Sequence, residues 1–246
     1  MKTKDLIITL IICSGFLTIW EFSCRFFNIA PFILPAPSSI ITVFFFNYDL
    51  LLFNSMVTFS EIVLGIVFSL IFSVPLALFM YLCPAAERSL SPFLIASQAI
   101  PVFALAPLLV IWFGYGITGK VVMASLIIFF PVTVNLLEGF KSCETEYINM
   151  FKTMGAGSMD IILHLLWPWA LPGFFTGLKI GVSVATIGAV IGEWVGAQKG
   201  LGALMIQANA RLEVDMLFAA IACLTLMGLF LWKSAGFIEK KVIKWK

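Results

Sequence analysis

Charged residues are scarce in this chain: they make up 11% of its 246 residues, where an average soluble domain carries about 25%. A soluble globule of this length cannot hide the apolar surface that remains, which excludes a soluble enzyme and a secreted scaffold. The net charge of +2 is too small to imply a polyanionic partner, so a nucleic-acid-binding domain is excluded with them. Histidine occurs once, as His164, without the clustered Asp, Glu or Cys of a metal site. The five cysteines (Cys13, Cys24, Cys83, Cys143, Cys223) are odd in number and show no CxxC spacing, so they form no disulfide framework or zinc site. No paired acidic or histidine motif and no Ser, His and Asp set on one side of a membrane is present. The chain is read as no enzyme, and no cofactor is expected. Gly114-Tyr-Gly-Ile-Thr-Gly-Lys120-Val121 fits GxxxxGK, but Val121 stands where a Ser or Thr should reach Mg²⁺, and no strand precedes it. A glycine-rich hairpin between two helices accounts for it.

What is abundant is apolar: 61% of the chain is hydrophobic, about 150 residues, enough for five to seven membrane helices. Six stretches are long enough to span: Leu6–Phe27, Phe53–Leu82, Leu90–Phe113, Val121–Phe140, Phe174–Ala197 and Val214–Ile238. Lys2 and Lys4 before the first stretch resemble a signal peptide, but no small-x-small cleavage site follows it, so it reads as a retained span. Glu21 and Arg25 near its end are spaced for an ion pair. The expected organisation is an N-terminal transmembrane helix over 1–30 and a five-helix core over 31–246, with a long connecting loop over 141–173. The Lys and Arg bias sets the orientation. With the N-terminus inside, Lys2, Lys4, Arg88, Lys141, Lys152, Lys179, Lys233, Lys240, Lys241, Lys244 and Lys246 face the cytoplasm. Only Arg25, Lys120, Lys199 and Arg211 face outward, and both termini are cytoplasmic.

The connections and the few polar residues within spans carry the functional signal. In Asn28–Leu52, Pro31, Pro35 and Pro37 set an extended start, and Ser38 or Ser39 is placed to cap a short helix. In Lys141–Gly173, Ile148–Met154 reads as a short amphipathic helix and Gly155-Ala156-Gly157 as a turn. Met159–Ala170 reads as a second helix ending before Leu171-Pro172-Gly173. A loop of this kind docks on something, and His164 is expected to pack at that interface. Gly173, Gly177, Gly181, Ala185 and Ala189 recur every four residues, with Gly188, Gly192 and Gly196 as a second series. Such a stripe serves either packing within one subunit or a subunit contact or pore wall. Gln98 falls near mid-membrane among Pro92, Pro101 and Pro107, which predicts a kinked helix with freed carbonyls. Asn135 lies in the inner half of the fourth span. Glu193 lies near the outer end of the fifth, as part of a pathway or in a pair with Lys199 or Arg211. Glu61 lies in the outer half of the second span, where an interfacial location explains it as well as function does.

The loop Gly155-Ala-Gly-Ser-Met-Asp-Ile-Ile-Leu-His-Leu-Leu-Trp-Pro-Trp-Ala-Leu-Pro-Gly173 resembles the EAA-loop signature of ABC importer permeases. Leu34-Pro-Ala-Pro-Ser38, Gln98-Ala-Ile-Pro-Val-Phe-Ala-Leu-Ala-Pro-Leu108, Ile111-Trp-Phe-Gly114 and Gly188-Ala-Val-Ile-Gly-Glu-Trp-Val-Gly196 with Gly200-Leu-Gly202 resemble their nitrate/sulfonate/taurine-type branch. The stretches Ala96–Pro101 and Gly188–Gly196 look most like permeases for thiamine-precursor pyrimidines. Asn149, Met150 and Phe151 stand where the family has Glu-Ala-Ala, and Glu61 stands where many relatives carry a basic residue.

The resemblance implies an all-α membrane protein, a six-helix type I ABC importer permease core with a cytoplasmic coupling helix, in a bacterial cytoplasmic (inner) membrane. Its implied partners are cytoplasmic ABC ATPase subunits, an extracytoplasmic solute-binding protein, the lipid bilayer and a second copy of itself. ATP hydrolysis would occur on the ATPases. Asn149, Met150, Phe151, Met154, Gly155, Ala156 and Gly157 would couple to them, and Gln98, Pro101, Asn135, Glu193 and Trp194 would line the substrate path. A neutral aminopyrimidine suits Gln98 and Asn135, which both donate and accept hydrogen bonds. A sulfonate, taurine or nitrate permease is the alternative. An ion-coupled secondary carrier would need ionisable groups near the midplane and inverted repeats, and a purely structural membrane subunit would tolerate loss of Gln98 and Glu193.

Overall fold

The computed structural model describes residues 3–245, and among them every regular element is helical. The order is α1 (Thr3–Phe26), α2 (Pro37–Phe46), α3 (Tyr48–Leu82), α4 (Pro84–Gln98), α5 (Val102–Phe113), α6 (Ile117–Lys141) and α7 (Thr145–Thr153), followed by α8 (Ser158–Ile161). A π-helical turn over Ile162–Leu166 then leads into α9 (Trp167–Trp194), α10 (Leu201–Ala210) and α11 (Val214–Val242). Among the described residues four helices are long and apolar enough to cross a membrane: α3, α6, the run from α8 through α9, and α11. The count becomes five if α4 and α5 are one broken span. The first expected span is occupied by α1. Lys2, used for the orientation and signal-peptide readings, and Lys246 lie outside the described residues.

The centre is a hairpin of α6 and α9, flanked by α3 on one side and α11 on the other. Its closeness comes from glycine. A Cβ on Gly177 would lie 2.5 Å from the Pro131 carbonyl oxygen and 2.9 Å from Val132 Cα. One on Gly173 would lie 2.6 Å from the Asn135 carbonyl oxygen. Gly181, Gly188 and Gly192 meet Ile128, Ala124 and Lys120 in the same way. Of the two roles open to the small-residue stripe, these glycines take the first: they bring two backbones of one subunit together.

Three expectations need correction. The third span is not one helix: α4 and α5 meet at 98°. Pro101 has no N–H and disfavours helical backbone at Ile100, so the chain turns on short bonds from Ala99 N–H to Ala96 and from Ile100 N–H to Ser97. The helix expected to end before Leu171-Pro172-Gly173 instead runs through them, with Pro172 inside α9. A π-turn precedes Pro168 at the entry of α9: Trp167 N–H reaches back to the Ile162 carbonyl, loosening the ladder where Pro168 has no N–H to give. Ser38 and Ser39 do not cap α2, whose N-cap is Ala36 with Pro37 at the first helical position. Ser38 instead donates its hydroxyl to Glu21 at 2.8 Å and its N–H at 3.0 Å, tying α2 to α1. Glu21 also takes the expected Arg25 ion pair, at 2.6 Å.

Candidate functional site

At one end of the bundle, α7 is a nine-residue helix with Glu146 in its first turn and Lys152 in its last, matching the helix dipole. It stops at Gly155, whose φ of +82° suits glycine. Gly155 N–H donates to the Lys152 carbonyl at 3.0 Å, and Ala156 N–H to that of Phe151 at 3.0 Å. This paired closure satisfies the helix's last carbonyls and reverses the chain. Gly157 N–H then donates to Asp160 Oδ2 at 3.0 Å and opens α8. The segment is braced from α9, where the Trp169 indole N–H donates to Ser142 Oγ at 3.1 Å and the ring lies 5.2 Å from Tyr147.

The two faces of α7 differ. Ile148, Phe151 and Ala156 pack onto an internal cluster that includes Met80, Leu136, Phe140 and Leu165. Asn149 is exposed, Met150 is 48% exposed and Met154 77%. Phe151 is half-buried against its own chain, and the residues left facing outward are Asn149, Met150 and Met154. His164 is exposed, with Nδ1 3.1 Å from the Asp160 carbonyl oxygen.

At the far end, the last turn of α9 and the start of α10 form a buried clasp. Glu193 is fully buried. Its Oε1 accepts the Thr58 hydroxyl at 2.7 Å, and its Oε2 accepts Gly202 N–H. Leu201 N–H donates to Thr58 Oγ1 at 2.9 Å, and Gly200 N–H to Asn54 Oδ1 at 2.8 Å. Three N–H groups at the start of α10 are thus held by side chains of α3 and α9, as an N-terminus requires. Gly200 adopts φ +114°, and the Glu193 carboxylate fills the space where its Cβ would be. The partner expected for Glu193 is corrected here: Lys199 lies over the Phe53 ring at 5.5 Å, and neither it nor Arg211 pairs with Glu193 among the described residues.

Of the two readings open to Glu61, its burial removes the interfacial one. It is 1% exposed and receives Lys120 Nζ at 2.7 Å. Lys120 belongs to the GxxxxGK lookalike, and here it serves as the half-buried counter-ion of Glu61. A sequence signal for this clasp existed: Asn54, Thr58 and Glu61 recur at helical spacing on one face of an otherwise apolar helix.

The expected path residues are not brought together. Gln98 and Pro101 are exposed at the α4–α5 bend, and half-buried Asn135 donates its amide to the Pro131 carbonyl at 2.8 Å on its own helix. Glu193 is enclosed in the clasp. Trp194, 51% exposed, lines a separate groove of about 910 Å³ between α9 and α11.

The family described as the binding-protein-dependent transport system inner membrane component matches residues 62–244. The chain is 41% identical over 234 residues to a probable ABC transporter permease protein of Haemophilus influenzae, covering 95% of this chain and 96% of that one. It is 38% identical over 231 residues to the formylaminopyrimidine transport permease protein ThiX of Halalkalibacterium halodurans, covering 94% and 92%. The taurine transport system permease protein TauC of Escherichia coli is 28% identical over 236 residues, covering 93% and 86%. Among solved structures, a chain of the MetNI methionine ABC transporter in an inward-facing conformation superposes with a TM-score of 0.70. That match covers 80% of this chain and 97% of the other at 19% identity, and it speaks to the fold alone.

Proposed function

Because the chain belongs to the binding-protein-dependent transport inner-membrane family, we propose that it works as the six-span permease of an ATP-driven importer for a thiamine-precursor pyrimidine. It is a multi-pass transport subunit of the inner membrane, with its chemistry supplied elsewhere. In this reading α1 is the first span, α4 and α5 together the third, and both termini are cytoplasmic. Two copies form the pathway, two cytoplasmic ATPases drive it, and an extracytoplasmic solute-binding protein delivers the solute.

The exposed ridge of α7 carries the coupling assignment. Asn149, Met150 and Met154 present one polar and two flexible apolar side chains to the cytoplasm, suited to a groove on an ATPase. Phe151, Ala156 and the Gly155–Gly157 turn tie that ridge to α6 and α9. ATP-driven closure of the ATPase pair then moves α7, and rigid packing passes the movement to the central hairpin. The two halves rock outward, accept solute and reset on hydrolysis. Gly155→Arg tests this step: it strains the φ of +82° while its Cβ enters open space, so the span bundle persists while uptake and ATPase association fail. Normal uptake in that variant overturns the coupling role.

The pyrimidine reading rests on the 38% identity with the formylaminopyrimidine permease across nearly the whole chain. The similarity to the taurine permease keeps sulfonates as the second reading. Uptake of labelled hydroxymethylpyrimidine by cells with and without this gene, beside a labelled alkylsulfonate, separates the two. Loss of pyrimidine uptake alone supports the first, and loss of sulfonate uptake alone supports the second.

A further inference from the structure

The groove of about 910 Å³ that holds Trp194 lies between α9 and α11 and reaches Phe103 of α5. None of its lining residues is charged. Its aromatic surfaces are open: Phe103 is 66% exposed, Trp194 51% and Trp232 48%. Its polar contribution comes from Ser183, Thr186 and Thr225. Two of these hydroxyls have spent their hydrogens on their own helices, Ser183 on the Lys179 carbonyl at 2.7 Å and Thr225 on that of Ile221 at 2.9 Å. What these two offer a guest is oxygen lone pairs that take a donated N–H, beside the indole N–H donors of Trp194 and Trp232.

The neighbouring bend supplies an independent reason to read the groove as a passage. Phe103 stands two residues after Pro101, where α4 and α5 break at 98°. Broken backbone at membrane depth persists only inside protein or beside a water-filled cavity.

We propose that this groove is the permease's own binding site for an uncharged, planar nitrogen heterocycle bearing an amino group, held against the tryptophans with its N–H groups on the hydroxyl oxygens. The proposal rests on the pyrimidine-importer reading and adds that the permease itself selects the solute. Sulfonates and nitrate carry charge and find no cation here to replace their hydration.

The test uses the assembled transporter, permease with ATPase and binding protein, in proteoliposomes, with labelled hydroxymethylpyrimidine as the probe. Trp194→Leu and Trp232→Leu each lower uptake about tenfold, and the corresponding Phe variants restore most of it. Gly228→Leu plugs the groove without disturbing the backbone, because a Cβ there meets only Thr186 Cγ2 at 3.7 Å, and it abolishes uptake. Copurification of the ATPase with each variant reports folding and assembly. Wild-type uptake by Gly228→Leu and both Leu variants overturns the site. So does a disulfide between two copies through Trp232→Cys, which would mean that a second subunit fills the groove. If the unmodified transporter moves alkylsulfonate and no pyrimidine, the substrate reading itself fails, whatever the variants do.

Discussion

The two ends of the bundle use their motifs in opposite senses. At the α7 end, Gly155 and Gly157 shape a turn that leaves Met150 and Met154 pointing away from the protein. At the α10 end, Gly200 and Gly202 make room for a carboxylate pointing inward, and Asn54, Thr58 and Glu193 are all buried. One end keeps an exposed ridge, while the other satisfies its helix N-terminus internally. A motif's residue types therefore do not reveal which way it faces; the neighbouring helices decide that.

Substitutions should separate the two ends. The largest effect is expected at Lys120. Lys120→Leu strands the Glu61 carboxylate in the bundle and costs about 3–5 kcal/mol. Thermal unfolding of the purified protein in detergent should register this loss, and the Glu61→Leu, Lys120→Leu pair should recover most of it. Gly177→Val comes next, at about 2–3 kcal/mol, because the new side chain meets α6 backbone that has no room to yield. The same melting assay and the yield of membrane-inserted protein check it. Glu193→Gln is milder, about 1–2 kcal/mol, since the amide keeps one acceptor for the α10 N-terminus but loses the charge-assisted bond. Protease nicking between Val195 and Gly200 should increase in that variant. Smallest in stability is Met154→Ala, within about 0.5 kcal/mol as for other exposed positions, yet uptake should fall severalfold. A Met154→Ala protein that transports normally would remove the contrast between the ends.

Much of the fold is legible in hydropathy. The positions of α3, α6, α9 and α11 follow from apolar runs longer than any strand, and α7 from its amphipathic pattern and following glycine. The partnerships are not legible, because they join residues far apart in the chain. Glu61 and Lys120 belong to different helices, and Thr58 meets Glu193 only after α3 and α9 pack together. Pro172 misleads as a terminator: it lies inside α9, which packs closely on α6 on either side of it through Gly173 and Ala170. The 98° break at Pro101 exceeds the kink that three prolines imply, since proline spacing does not encode bend size. Trp194 is expected on a path only by resemblance; the groove around it needs α11, whose contributing residues show no motif.

The most direct test of the account is a crosslinking measurement on the two faces of α7. Met154→Cys and Phe151→Cys permeases, in membranes containing the cognate ATPase, would each be treated with a short bifunctional thiol reagent. The account predicts a permease–ATPase adduct from Met154→Cys whose yield changes when ATP is added, and none from Phe151→Cys. No adduct from Met154→Cys, with ATPase demonstrably bound to the permease, would contradict the assignment of α7 as the coupling element.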